Sequence, residues 1–172
     1  MHSENTHHLE SSSTVRPTLE ISHLERREIQ APIAACLIRG FARVMGKEKA
    51  MEVATAAVQA DAMMAGEIMS EKYGGNSIKE LGRIVREVWA EDDAMAIHNL
   101  EETERSLSFD VTRCRYAESY EKADMKELGF CLSCSRDEPF AKGSIGEWSY
   151  CVLRPLWRAR RFATFDLSLS KD

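Results

Sequence analysis

The hydrophobic period of this chain changes once, and that change constrains the fold most. From Leu24 to Val88 the apolar residues return every three or four positions, whereas Leu107, Phe109 and Val111 alternate with Ser108, Asp110 and Thr112. A period of 3.6 belongs to helices with one inward stripe, and a period of two belongs to a half-buried strand. Helices first and strands afterwards predict an α+β domain, a helical bundle of about three helices followed by a small antiparallel sheet. An alternating βαβ chain would interleave the two periods.

Three helices are expected. The first runs from Leu24 to Val44, with Ile33, Leu37, Gly40 and Val44 recurring along one face, and Gly46 ends it. Pro32 fits such a helix only near its start or at a kink. A second helix spans about Lys47 to Tyr73, with Val53, Ala57, Ala60, Met64 and Ile68 on one side and Gly74-Gly75 as its stop. Ser77 and Glu80 have the spacing of a capping box, in which each side chain satisfies an orphan backbone donor. The third helix follows with Leu81, Ile84, Val85 and Val88 and ends near Trp89, before an acidic loop at Glu91-Asp92-Asp93. Ala94 to Leu100 is the expected partner strand, joined to the strand at Leu107 by the polar run Glu101 to Arg105.

Residues 1–20 are polar, rich in Ser and His, and aperiodic, which predicts a disordered tail. His2, His7 and His8 read as part of that tail rather than as a metal cluster. No basic start precedes an apolar stretch, so no secretory signal is expected, and no run approaches the ~18 apolar residues of a membrane span. A net charge of −5 argues against a nucleic-acid partner, which needs a basic surface. Five cysteines, an odd number, argue against a disulfide framework and for free thiols in a reducing cytoplasm.

The densest chemistry follows the strand: Thr112-Arg113-Cys114-Arg115-Tyr116-Ala117-Glu118, then Glu127-Leu128-Gly129, then Leu132-Ser133-Cys134-Ser135-Arg136-Asp137. Cys114 stands between two cations, which predicts a favoured thiolate fit for nucleophilic attack or metal ligation. Glu118 lies four residues on and would share its face if a helix begins here, as a general acid or base. Asp137 is a second carboxylate candidate. Arg113 and Arg115 are suited to a carboxylate, because a guanidinium grips it with two parallel hydrogen bonds. The plainer readings are a small buried cysteine and a surface pair between an arginine and Glu118. Cys131 and Cys134 have CxxC spacing, but no second ligand pair follows to complete a zinc site.

The run from Phe109 to Asp137 resembles the signature of the bacterial L-2-amino-thiazoline-4-carboxylic acid hydrolases. The shared elements are VTRCRYAE, a tyrosine, ELG, LSC and RD, in that order and spacing. Cys131 stands outside the motif. The resemblance implies a hydrolase that opens a small sulfur-containing ring to a carbamoyl-cysteine on a route to L-cysteine. It places Cys114, Glu118, Cys134 and Asp137 as catalytic candidates, with Arg113, Arg115 and Tyr116 as substrate-binding ones. A small-molecule substrate is expected, with no nucleic acid, membrane, nucleotide or organic cofactor; a homo-oligomer stays open. Two alternatives also stay open. One is a metal-assisted hydrolase of another cyclic amidine or amide, with Cys114, Cys134 and a carboxylate holding a divalent ion. The other is a small-molecule-binding protein without turnover.

Past Gly143 the likeness breaks. The family continues with Phe-Asn, two Met-Glu pairs and a closing Cys-Asp-Phe-Arg, whereas this chain has an Arg- and Trp-rich tail. Gly143-Ser144-Ile145 encoded GGT TCA ATC yields Phe-Asn when the frame moves by one base. Glu147-Trp148 and Leu156-Trp157-Arg158 each yield Met-Glu under the same shift, and Phe162 to Asp166 yields Cys-Asp-Phe-Arg. A frameshift is therefore expected, with the family's C-terminal strands lost. It divides the chain into a tail at 1–20, a hydrolase-like domain at 21–143 and an altered segment at 144–172.

Overall fold

The computed structural model describes residues 21–146 and, as backbone, strands at 150–154 and 163–168. The N-terminal tail with its three histidines lies outside the described residues. Two long helices lead: α1 (His23–Met45) and α2 (Lys47–Tyr73), separated only by Gly46 at φ +86°. Ser22 and Glu25 form a capping box that starts α1 one residue before the expected position. Pro32 sits inside α1 on its exposed side rather than at its start. Gly74, at φ +80°, closes α2 in the left-handed conformation that a residue without Cβ adopts without strain.

The capping box at Ser77 opens α3 (Ile78–Ile84), which continues as a π-helical turn over Val85–Trp89. A short turn at Glu91–Asp93 leads to β1 (Met95–Glu102), and β2 (Ser106–Cys114) returns antiparallel to it. Asn99 interrupts the β1 register: it adopts φ +50° and its Nδ2 donates to Asp110 Oδ2 across the ladder at 2.8 Å. Bulges of this kind bend a strand locally. Then come α4 (Arg115–Lys122), α5 (Gly129–Leu132) and α6 (Asp137–Ile145). Two strands of the C-terminal segment, β3 (Tyr150–Arg154) and β4 (Ala163–Ser168), extend the sheet antiparallel in the order β1-β2-β4-β3. The helices and the β1–β2 pair follow the expected α+β succession, whereas β3 and β4 stand in the segment whose strands were expected to be lost. No helix among the described residues is long and apolar enough to cross a membrane.

Two apolar clusters hold these elements. One joins α2, α3, β2 and α6 around Leu81, Ile84, Leu107, Phe109 and Phe140. The other joins α1, α4 and α5 around Leu24, Ala35, Tyr116, Leu128 and Leu132. Met95 and Cys114 pack against both, so the end of β2 lies on the seam between them.

The helix faces differ from those expected. Ile33, Leu37 and Val44 are 66%, 53% and 85% exposed, and Leu24, Ala31, Ala35 and Ile38 face inward instead. On α2, Val53, Met64 and Ile68 are likewise exposed, while Ala50, Ala62 and Gly66 are buried. On α2 the inside is small because α2 and α6 cross at backbone contact. A Cβ at Gly66 would strike the Phe140 carbonyl, and one at Gly143 would strike the Met63 carbonyl. Backbone atoms in two regular helices cannot yield as a side chain can. Gly143→Ala is therefore expected to cost about 1–3 kcal/mol or more in chemical denaturation, and an unchanged midpoint would contradict this crossing.

Candidate active site

Cys114 closes β2 and occupies the N-cap position of α4, so a strand end and a helix start present its sulfur at the seam. Burial pushes the thiol above its usual range. The Ala117 and Tyr116 amides pull the other way without forming a capping hydrogen bond. The expected thiolate-favouring arginines are engaged elsewhere. Arg113 Nε and Nη2 donate to the two oxygens of Glu118 at 2.7 and 2.9 Å on the surface, and Arg115 Nη1 donates to the Asp92 carbonyl at 2.7 Å. Flanking in sequence is not flanking in space. Arg115 and Glu118 line an open surface groove with Glu28, Ser119 and Lys122.

Asp137, the first residue of α6, lies within electrostatic reach of Cys114. Desolvation raises its carboxyl to about 7, against the opposing pull of Arg136 and Arg27. It keeps a little surface of its own, yet its surroundings are dense enough for desolvation to outweigh two cations. Such a carboxyl can hold or release a proton near neutrality, as acid–base catalysis requires.

Around this pair stand residues that the motif did not single out. His23 Nδ1 lies 2.9 Å from the Tyr116 hydroxyl, which donates to the Trp89 carbonyl at 3.2 Å. That carbonyl ends the π-helical turn, a distortion that recurs at functional sites. The phenol spends its proton on Trp89, so the network assigns the imidazole proton to Nδ1 and leaves Nε2 as an acceptor. Burial, then Arg27, Arg136 and Arg26, lower the His23 pKa to about 4, which keeps the ring neutral. Tyr116 and Tyr120 are both raised, first by burial. Arg136 is buried and anchored, donating to Asp61 at 2.5 Å and to the Val58 carbonyl at 3.3 Å. Arg27 is half-buried among Arg136, Tyr120, Asp61 and Tyr116, with the Asp61 carboxylate within electrostatic reach.

The structure thus brings Cys114, Tyr116 and Asp137 together with His23, Arg27 and Tyr120. It leaves Arg113, Arg115 and Glu118 on the outer side of α4. Cys134, half-buried in the turn before α6, lies on the Tyr120 side, and Cys131 is buried with its thiol raised by desolvation. Among the described residues no three His, Cys, Asp or Glu side chains are grouped to hold a metal ion. A signal for Arg27 was present in the sequence: it falls at an inward position of the series Leu24, Ala31, Ala35, Ile38, where a charge needs a reason.

The family model for L-2-amino-thiazoline-4-carboxylic acid hydrolase matches residues 26–152. The chain belongs to this family. No curated protein and no solved structure matches it. The matched residues of this L-2-amino-thiazoline-4-carboxylic acid hydrolase family member include Arg27, Cys114, Tyr116 and Asp137. They begin after His23 and extend past Gly143.

The raised Asp137 carboxyl has a consequence for stability. The folded chain retains its proton up to about pH 7, while the unfolded chain loses it near 3.8. Stability is therefore lost as pH rises between these values and levels off above them. A shift of this size corresponds to at most about 4 kcal/mol. Asp137→Asn, which cannot ionise, should melt above the parent at about pH 8 and close to it at about pH 4. Thermal unfolding at the two pH values checks this, and equal differences at both would contradict it.

Proposed function

We propose that this chain hydrolyses L-2-amino-thiazoline-4-carboxylate to a carbamoyl-cysteine in a route to L-cysteine, with Cys114 and Asp137 as its reacting pair. The observation that carries the reading is a half-buried thiol at the seam of the two cores, within electrostatic reach of a carboxyl raised to about 7. The family membership supplies the substrate class. Arg27 is the group suited to the substrate carboxylate, since Arg113 would first have to release Glu118 and Arg115 the Asp92 carbonyl.

The proton route then closes on itself. Asp137 as carboxylate accepts the Cys114 proton while sulfur bonds to the ring carbon between nitrogen and sulfur. Protonated Asp137 returns that proton to the departing ring atom. Departure of sulfur leads to the N-carbamoyl product and departure of nitrogen to the S-carbamoyl isomer. Water then adds to the same carbon and displaces the Cys114 sulfur, which regains a proton. The raised thiol favours a second reading, in which Asp137 deprotonates water directly and Cys114 only lines the site. A covalent adduct on Cys114, trapped and read by mass spectrometry, separates the two.

The frameshift belongs to the same proposal. Ser144, the first residue past Gly143, is 1% exposed, and its hydroxyl finds no partner among the described residues. A buried hydroxyl without a partner costs about 1–3 kcal/mol. The shifted frame replaces it with phenylalanine. The experiment is a turnover assay following carbamoyl-cysteine with the chain as it stands and with its frame restored. The restored chain is expected to be the more active and to melt higher; equal activity and melting would sink the frameshift reading. In the restored chain kcat/KM should rise through about pH 7. Cys114→Ser should lose on the order of 1,000-fold in kcat, and Arg27→Met should act mainly on KM. Full activity of Cys114→Ser would remove the cysteine from the chemistry.

A further inference from the structure

The outer stripe of α1 has no physical reason to face water. Ile29, Ile33, Leu37 and Val44 are 62%, 66%, 53% and 85% exposed, directly opposite the face that Leu24, Ala31, Ala35 and Ile38 bury. A helix apolar on two opposite faces belongs in a place with protein on both sides. Its neighbour also leaves large apolar side chains exposed, at Val53, Met64 and Ile68, while Ala62 and Gly66 turn inward. Scattered exposed apolar residues are ordinary, but runs of them along two consecutive helices are not.

We infer that these stripes are the interface of a homodimer, in which α1 packs antiparallel against α1 of a second copy and the α2 stripes extend the contact. Area favours this occupant. The seven side chains of the two stripes, at on the order of 100 Å² each, present roughly 700 Å², close to the ~800 Å² per partner of a standard interface. Residues 1–20 are poorly composed to cover it, with only Met1, Leu9, Val15 and Leu19 as large apolar side chains.

Charge selects the direction of pairing. Glu25 in the first turn and Arg43 in the last turn of α1 are separated by about five whole turns, so they flank the stripe on the same side. A two-fold axis at the level of Ala34 sets Glu25 of one copy beside Arg43 of the other at both ends. Parallel pairing would set Glu25 against Glu25. The Glu25 Oε2 atom already accepts the Ser22 amide, which holds the carboxylate in place and leaves Oε1 to the partner. An interface of this kind is isologous and closes on itself, so growth stops at two.

Sedimentation of the full chain across a concentration series is expected to show a monomer–dimer equilibrium. Ile33→Glu/Leu37→Glu should move its midpoint at least ~100-fold higher while far-ultraviolet circular dichroism stays unchanged. Exposed Cys36 lies beside the proposed axis on the flank of the stripe. A bismaleimide spanning about 10 Å, the spacing of packed helices, should therefore join Cys36 to Cys36 in the parent chain, and Cys36→Ser should abolish the product. That cross-link decides the question even if the double variant unfolds. A chain that stays monomeric throughout, a dimer indifferent to the double substitution, or a dimer without the Cys36 cross-link each overturns the inference.

Discussion

The close crossing of α2 and α6 through Gly66 and Gly143 is the contact on which the other placements depend. It fixes the axis of α6 against α2, and with it Asp137, the residue at which α6 begins. The Arg136 bridge to Asp61 and Val58 ties the preceding turn to the same helix two turns before Gly66's level, so the N-terminus of α6 is held from both sides. Apolar burial then supplies the free energy, about 25 cal/mol per Å² of apolar surface, while the two glycines decide where that surface can meet. Bulk at either position would move Asp137 away from Cys114 before it changed any reacting group.

Desolvation outranks charge at the site. Asp137 faces two guanidiniums and is still raised, and Cys114 stands between two arginines in sequence and is raised as well. His23 is lowered by burial first and by arginines second. The three shifts share one effect: each group is driven toward its neutral form, which lets protons move between neighbours without stranding a buried charge. Arg27 and Arg136 are the exceptions, because a guanidinium remains charged; Arg136 is bridged to Asp61, and Arg27 is half-buried within reach of the same carboxylate.

Periodicity made the order of elements legible, and capping chemistry made their ends legible. Ser77 starts its helix through local hydrogen bonds and Gly74 ends one through its own φ, so neither needs the rest of the chain, whereas the capping box at Ser22 went unread. Tertiary packing decided what local rules could not. Two faces of α1 carry apolar residues, and only the crossing with its neighbours shows that the alanine face turns inward. The site was partly legible for the same reason. Cys114, Tyr116 and Asp137 stood in one motif, but His23 and Arg27 reach them from a helix about ninety residues earlier, a separation that no spacing rule spans. Arg113 and Glu118 were misleading because they are adjacent to the motif and complementary to each other, which is the condition for a surface ion pair.

The two faces of α1 also connect the interior to the surface. Its inner face carries His23 and Arg27 to the site on small side chains, which allow close approach but bury little apolar area each. Ala31 and Ala35 contribute less to docking than a leucine pair would, so Leu24 and Ile38 supply most of the apolar burial that holds Arg27 in position. Large residues on the outer face supply what the inner face lacks if protein covers them. Precision inside and adhesion outside are then divided between opposite sides of one helix. Bulk added to the inner face would displace Arg27 and His23, whereas polarity added to the outer face would leave them in place and change only how firmly α1 is held.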